Sequence, residues 1–205
     1  MHRLIAVTGG IGSGKSAVGK ILKTAGYAII DADLLAHEAF VRSHIIQRVK
    51  SVFGNESYSS DGSLNRDCIR EAIFRDAGLR KVLESIIHPE VQAILLERVT
   101  AIAPTSRDAW VFYEFALLFE TKREKDFDAI LLVCASESVR IERVTQTRAL
   151  TVAQVKAVMA SQIPDAQKCK RAHVIVNNDG STNELSVELN KALEVLRVKF
   201  AQLEI

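Results

Sequence analysis

Short apolar runs alternate with stretches in which apolar side chains recur every three or four positions, and that alternation organises the chain. Leu4-Ile5-Ala6-Val7, Tyr27-Ala28-Ile29-Ile30, Trp110-Val111-Phe112-Tyr113, Asp128-Ala129-Ile130-Leu131-Leu132-Val133 and Ala172-His173-Val174-Ile175-Val176 read as five buried strands. Helical spacing fills the intervals. It runs through Ala17, Val18, Ile21 and Leu22, from Leu34 to Phe53 with Gly54 closing it, and through Ile69, Ile73, Leu79, Leu83 and Ile86. His88-Pro89 interrupts the pattern, and a new helix is expected from Pro89 through Val91, Ile94, Leu95 and Val99. Further helices are expected after Ser136, over Thr151 to Gln162, and from near Ser181 through Leu185, Leu189, Leu193, Leu196 and Phe200. Asn55 to Ser63, with Asp61-Gly62, reads as a loop or hairpin. Strands alternating with helices predict an α/β fold with a doubly wound, parallel five-stranded sheet.

The first strand runs into Gly9-Gly10-Ile11-Gly12-Ser13-Gly14-Lys15-Ser16 and then into a helix. Gly9, Gly14, Lys15 and Ser16 satisfy the phosphate-loop pattern Gly-x-x-x-x-Gly-Lys-Ser/Thr, in the strand-to-helix setting that the pattern requires. Glycines let backbone N–H groups wrap phosphates, and the helix N-terminus adds partial positive charge. Gly10 to Ala17 are therefore candidates for binding ATP, with Lys15 reaching the β- and γ-phosphates and the Ser16 hydroxyl holding Mg²⁺. A plain glycine-rich turn is the structural alternative. The motif makes the fold a P-loop NTPase type, in which the helical interval at about 33–107 is an inserted acceptor-binding lobe. About 139–169 forms a lid, and 1–32, 108–138 and 170–205 form the core of one domain.

Other polar residues sit where such a sheet gathers its ligands. Asp31 and Asp33 follow the second strand, one expected to cap the next helix and Asp33 to act as general base toward an attacking hydroxyl. Glu114 ends the third strand, where a carboxylate can hold Mg²⁺ or accept hydrogen bonds from loop backbone. Arg140 and Arg143 share a helix face that either closes over ATP or is a solvated charged face, and Arg148 points elsewhere on a regular helix. Arg66 has the geometry to pair with an acceptor phosphate or to form a surface ion pair. His88 is an acceptor contact or a turn residue. Ala116-Leu117-Leu118-Phe119-Glu120 either lines an acceptor pocket, through Leu118 and Phe119, or is core. Asn178, after the fifth strand, lies where an adenine could be contacted.

Composition narrows the partners. Over 205 residues the formal charge is +2, so no broad basic face for nucleic acid is implied. No apolar run approaches a membrane span, and Met1-His2-Arg3 leads straight into the first strand, so a cytoplasmic protein is expected. Cys68, Cys134 and Cys169 are too scattered for a zinc site or disulfide framework and read as buried or incidental thiols. From the residues alone, the function is that of a small P-loop kinase acting on an acceptor such as a nucleoside monophosphate, shikimate or gluconate, or of a nucleotide-binding switch.

The chain resembles the dephospho-coenzyme A kinase family over nearly its whole length. The resemblance rests on Val7 to Ser16, Asp31-Ala32-Asp33 with His37, Asp61-Gly62-Ser63-Leu64-Asn65-Arg66, His88-Pro89, Leu117-Leu118-Phe119-Glu120, and Asn178 before Gly180. It implies transfer of the ATP γ-phosphate to the ribose 3′-hydroxyl of dephospho-coenzyme A with Mg²⁺, the last step of coenzyme A synthesis. It places the base at Asp33, phosphate binding at Gly12 to Ala17 and a lid arginine at Arg143, with His37, Arg66 and His88 in the acceptor site. The implied partners are ATP and dephospho-coenzyme A, without nucleic acid or membrane, in a monomer or small homo-oligomer. Four features depart from the family pattern: Ala116 for proline, Arg140 for glutamine, His173 for aspartate, and Thr147-Arg148 where Arg-Asp stands in the lid.

Overall fold

The computed structural model describes residues 2–202. The chain divides into two compact units, one holding the chain up to Ile29 and from Ile102 onward, the other Ile30–Ala101. Five strands, β1 (Arg3–Thr8), β2 (Ala28–Asp31), β3 (Trp110–Glu114), β4 (Ala129–Cys134) and β5 (Val174–Asn177), form one sheet in the order β2-β3-β1-β4-β5. β1 pairs in parallel with β3 and β4, and β4 with β5. In this order β1 is central and successive strands add on either side of it, so the crevice beyond the carboxyl end of β1 is where such sheets bind ligands. Val7 pairs with both Glu114 and Leu131, which brings the end of β3 alongside the start of the phosphate loop.

One face of the sheet is covered by α1 (Lys15–Thr24) and α9 (Thr182–Gln202). Val18 and Leu22 of α1, with Leu185, Leu189, Leu193, Leu196 and Phe200 of α9, join Ile5, Val7, Phe112, Leu131 and Val133 in a single apolar cluster. Strand residues with no polar alternation therefore lie in the core, as two-sided burial requires. Past β4 come α6 (Glu137–Thr147), α7 (Val152–Ser161) and α8 (Asp165–Cys169). Ser136 occupies the N-cap position of α6, but its hydroxyl makes no capping bond; its own N–H is accepted by Asp179 Oδ1 at 2.6 Å. α7 opens on a capping box, Thr151 with Gln154. α8, five residues long, is absent from the sequence reading because so short a helix shows no periodicity.

His173 stands where the family resemblance implies aspartate, and the structure gives the ring an acceptor's task. Its Nδ1 accepts the Ile130 N–H at 3.0 Å, while Ile130 O accepts the His173 N–H. Burial, and then the Lys199 charge, push the imidazole below its usual range, which keeps it neutral and able to accept.

In the second unit, the helical stretch expected over Leu34 to Phe53 is two helices, α2 (Ala32–Phe40) and α3 (Ser43–Phe53). Arg42 is extended between them, and its guanidinium pairs with Glu90 at 2.7 Å. Tyr58 bridges Leu64 in an antiparallel sense and Ser59 N–H donates to Ser63 O, so the polar segment is a hairpin. α4 (Arg66–Arg75) is capped by Asn65, whose Oδ1 accepts from Cys68 N–H at 3.1 Å. The break expected at His88-Pro89 is not there: α5 is a continuous 25-residue helix, Gly78–Ile102, with Pro89 inside it. Pro89 has no N–H for the carbonyl of Ser85. Ile86 and Ile87 before it and Val91, Ile94, Leu95 and Val99 after it are buried, and that burial carries the helix across the gap. Among the described residues no helix is long and apolar enough to cross a membrane.

Candidate active site

The first unit builds its site around the phosphate loop. Gly14 is the N-cap of α1 in the left-handed region, at φ 93°, and Gly12 is left-handed at φ 74°. Both need glycine for conformation and for space. A Cβ on Gly14 would lie 2.0 Å from Asn178 Nδ2, and one on Gly12 would lie 2.7 Å from the Arg140 carbonyl oxygen. The loop is thus packed from outside by the segment after β5 and by α6.

Lys15 folds over the loop, its Nζ donating to Gly9 O at 2.8 Å and Gly10 O at 3.3 Å. Its pKa is lowered to about 8, first by burial and then by the positive charges of Lys168, Arg148 and Arg140, with Glu114 opposing them. An ammonium whose hydration is removed and whose neighbours are mostly cationic is poised to take a polyanion. Ser16, the next residue, is exposed.

Glu114 lies against α1 at Gly19, where an added Cβ would sit 1.9 Å from its Oε1. Glu114 and Ser16 offer the hard oxygen ligands that magnesium takes. Among the described residues no group of three or more His, Cys, Asp or Glu could hold a metal ion.

The two helix arginines diverge. Arg143 NH1 donates to Asn178 O at 2.8 Å, and Asn178 in turn donates from Nδ2 to Ser13 O at 2.8 Å. Asn178, the residue expected beside the adenine, is buried, and its amide is bonded to the phosphate loop. Arg140 is also buried; its Nε donates to Ile11 O at 2.7 Å and its NH1 pairs with Asp165 Oδ2 at 2.6 Å. Arg148 is the C-cap of α6, exposed, with its charge felt at Lys15.

Residues with no motif complete the loop's support. Gln162 Oε1 accepts the Ile11 N–H at 3.0 Å, and Glu120 Oε1 accepts the Ile163 N–H at 3.1 Å. These links join positions far apart in sequence, and only the resemblance at Glu120 signalled any of them. Leu118 and Phe119, expected either to line an acceptor pocket or to be core, are buried. They are 0% and 1% exposed and belong to the core, and the exposed apolar side chain of that step is Leu117. Two thiols that sequence spacing kept apart are neighbours: Cys134 Sγ lies 3.9 Å from Cys169 Sγ, and burial together with Cys169 pushes the Cys134 thiol up to about 12.

The second unit carries the remaining candidates. Asp31 is the N-cap of α2 and its Oδ1 accepts the Asp33 N–H at 2.8 Å, while Asp33 lies exposed in the first turn. Backbone capping thus falls to Asp31. His37, in the last turn of α2, is exposed, as are Arg66 at the start of α4 and His88 on α5.

A family profile described as dephospho-CoA kinase matches residues 3–184. A dephospho-CoA kinase from Acinetobacter baylyi is 36% identical over 187 residues, 91% of this chain and 94% of that one. One from Staphylococcus aureus is 34% identical over 195 residues, 95% and 93% of the two chains. The crystal structure of TT1252 from Thermus thermophilus superposes with a TM-score of 0.81 at 34% identity, over 97% of this chain and 98% of that one. The fold is shared more widely. A dephospho-CoA kinase from Campylobacter jejuni superposes with a TM-score of 0.70 at 24% identity, over 96% and 98% of the chains. A shikimate kinase from Bacteroides thetaiotaomicron does so at 0.53 and 13% identity, over 95% and 98%. The fold alone is shared with a kinase of only 13% identity; sequence identity sustained from the first strand to the last helix is a stronger tie, and it places this chain in the dephospho-CoA kinase family.

Proposed function

We propose that the chain transfers the γ-phosphate of ATP to the ribose 3′-hydroxyl of dephospho-coenzyme A, giving coenzyme A and ADP. The observation that carries the reading is the phosphate loop with a desolvated Lys15 folded over it, in a chain of this family. Gly10 to Ala17 hold the donor phosphates through backbone N–H groups and the positive end of α1. Lys15 exchanges its bonds to Gly9 O and Gly10 O for the β- and γ-phosphates. Ser16 and Glu114 would hold a magnesium ion, which would supply positive charge to offset that of the donor phosphates. Asp33 accepts the proton of the attacking hydroxyl, while His37, Arg66 and His88 hold the acceptor. Such a transfer asks the protein mainly for alignment and charge, so residues fixed around the loop matter as much as those touching the phosphates.

Two arginines serve the transferred phosphoryl group in this reading. Arg143 is held beside Gly14 by Asn178. The second is Arg148, since Arg140 is committed to Ile11 and Asp165 while the Arg148 charge reaches Lys15. Arg148→Ala is expected to lower kcat by about 10- to 100-fold with the melting temperature unchanged. Arg140→Ala, which leaves Ile11 O and Asp165 without their partner, is expected to lower the melting temperature itself. An Arg148→Ala enzyme with wild-type kcat would return the second charge to some other residue.

The direct test measures ADP release from ATP and Mg²⁺ with and without dephospho-coenzyme A, following coenzyme A in the same tube. Stoichiometric, acceptor-dependent formation of both products is the expected result. ATP binding with no coenzyme A formed would overturn the reading.

A further inference from the structure

Lys168 is one of the largest side chains fully buried in the protein, 1% exposed, on the short helix α8. Its Nζ lies 3.2 Å from Glu120 Oε1, close enough for an ion pair but without the alignment of a hydrogen bond. Among the described residues, neither Lys168 Nζ nor the buried Glu120 Oε2 has a hydrogen-bond partner. Burying a lysine and a glutamate costs hydration that such a contact repays poorly, and an apolar pair of the same volume is often as stable. Stability is a weak reason for these two side chains to be charged.

Their surroundings supply a better one. Glu120 Oε1 also accepts the Ile163 N–H, and the neighbouring Gln162 holds the Ile11 N–H. Three residues before Lys168, Asp165 holds Arg140, whose Nε donates to Ile11 O. Both backbone polar groups of Ile11, in the middle of the phosphate loop, are therefore fastened through the segment Gln162 to Lys168. Glu120 and Lys168 are where that segment is tied down to the turn that follows β3. We propose that Glu120 and Lys168 are positioning residues: a buried ionic anchor that sets the phosphate loop, through Gln162 and the Arg140–Asp165 pair, in the shape that binds ATP phosphates. The Lys168 charge also bears on Lys15, so it adds to the cationic character of the site that the anchor shapes.

This inference rests on the proposed kinase reading only in taking ATP as the ligand of the loop, and its test does not need the acceptor. Lys168→Met, Glu120→Gln and the double variant would be titrated with ATP and Mg²⁺ by calorimetry, with thermal unfolding measured alongside. Each single variant is expected to weaken ATP binding about tenfold, and the double variant about tenfold also, because removing either partner releases the same anchor. In turnover assays the loss falls on KM for ATP, with KM for dephospho-coenzyme A within about twofold of wild type. Glu120→Gln keeps an acceptor for the Ile163 N–H and carries the test if Lys168→Met does not fold. A fall in melting temperature with ATP affinity kept within twofold would overturn the proposal, because the pair would then be structural only. So would losses in the two single variants that multiply in the double. A wild-type protein that binds ATP but forms no coenzyme A would sink the functional reading and leave this one standing.

Discussion

An Asp33→Asn enzyme is expected to convert dephospho-coenzyme A about 10²- to 10⁴-fold more slowly than wild type, the usual worth of a positioned proton acceptor. KM for ATP should stay within about twofold. The substitution isolates chemistry from structure because the helix start does not depend on this side chain: the Asp31 carboxylate caps α2, taking the Asp33 N–H at 2.8 Å. Asparagine has nearly the same size, the position is exposed, and the backbone N–H that Asp31 needs is kept. What disappears is the carboxylate proposed to take the proton. In a loose phosphoryl-transfer transition state the acceptor hydroxyl loses its proton late, so part of the effect can be lost orientation of that hydroxyl. A variant with unchanged turnover would remove Asp33 from the mechanism altogether.

The parts of this protein that could be read from its sequence are those in which neighbours along the chain act together. A buried strand of Leu4 to Val7 followed by closely spaced glycines, a lysine and a serine is a local statement, and the structure realises it at those residues. The sheet followed for a similar reason, since strands covered on both faces must be apolar without alternation. Tertiary packing overrode local signals elsewhere. Pro89 is a helix breaker by its own chemistry, yet six buried aliphatic side chains flanking it keep α5 continuous. Arg42, in contrast, ends a regular-looking stretch because its backbone turns extended where its side chain reaches Glu90.

The support of the phosphate loop was the least legible part. Gln162 and Ile11 are 151 positions apart, Asn178 and Ser13 are 165 apart, and no spacing rule links such pairs. Leu118 and Phe119 belong to a recognisable step, and nothing in that step signalled that both side chains are buried in the core. Arg140 departs from the family pattern and is nonetheless woven into the loop through Ile11 and Asp165.

Lys15 gives the other large effect, and pH exposes it. With a pKa of about 8 in the free protein, the ammonium is charged below that pH and lost above it. kcat/KM for ATP, which reports the free enzyme, is therefore expected to be flat below about pH 8 and to fall about tenfold per pH unit beyond it. kcat should hold its plateau to more alkaline pH, since bound phosphates favour the charged form. Stability should move the other way. The folded pKa lies below the 10.5 of an unperturbed lysine, so between about pH 8 and 10.5 the unfolded chain binds the extra proton. Folding is then favoured by rising pH across the window in which ATP capture is failing. Few causes of alkaline inactivation predict a protein that becomes harder to unfold as it stops working. Lys15→Met should lose about 10²- to 10³-fold in kcat, as expected when a charge aimed at the transferred phosphoryl group is removed, and should lose both pH trends with it. Lys15→Arg separates charge from shape: its guanidinium stays ionised, so whatever activity survives should show no limb near pH 8. Rates and melting temperatures measured in one set of buffers decide the matter. An alkaline limb that persists unchanged in Lys15→Arg would assign it to another group and leave Lys15 charged throughout the working range.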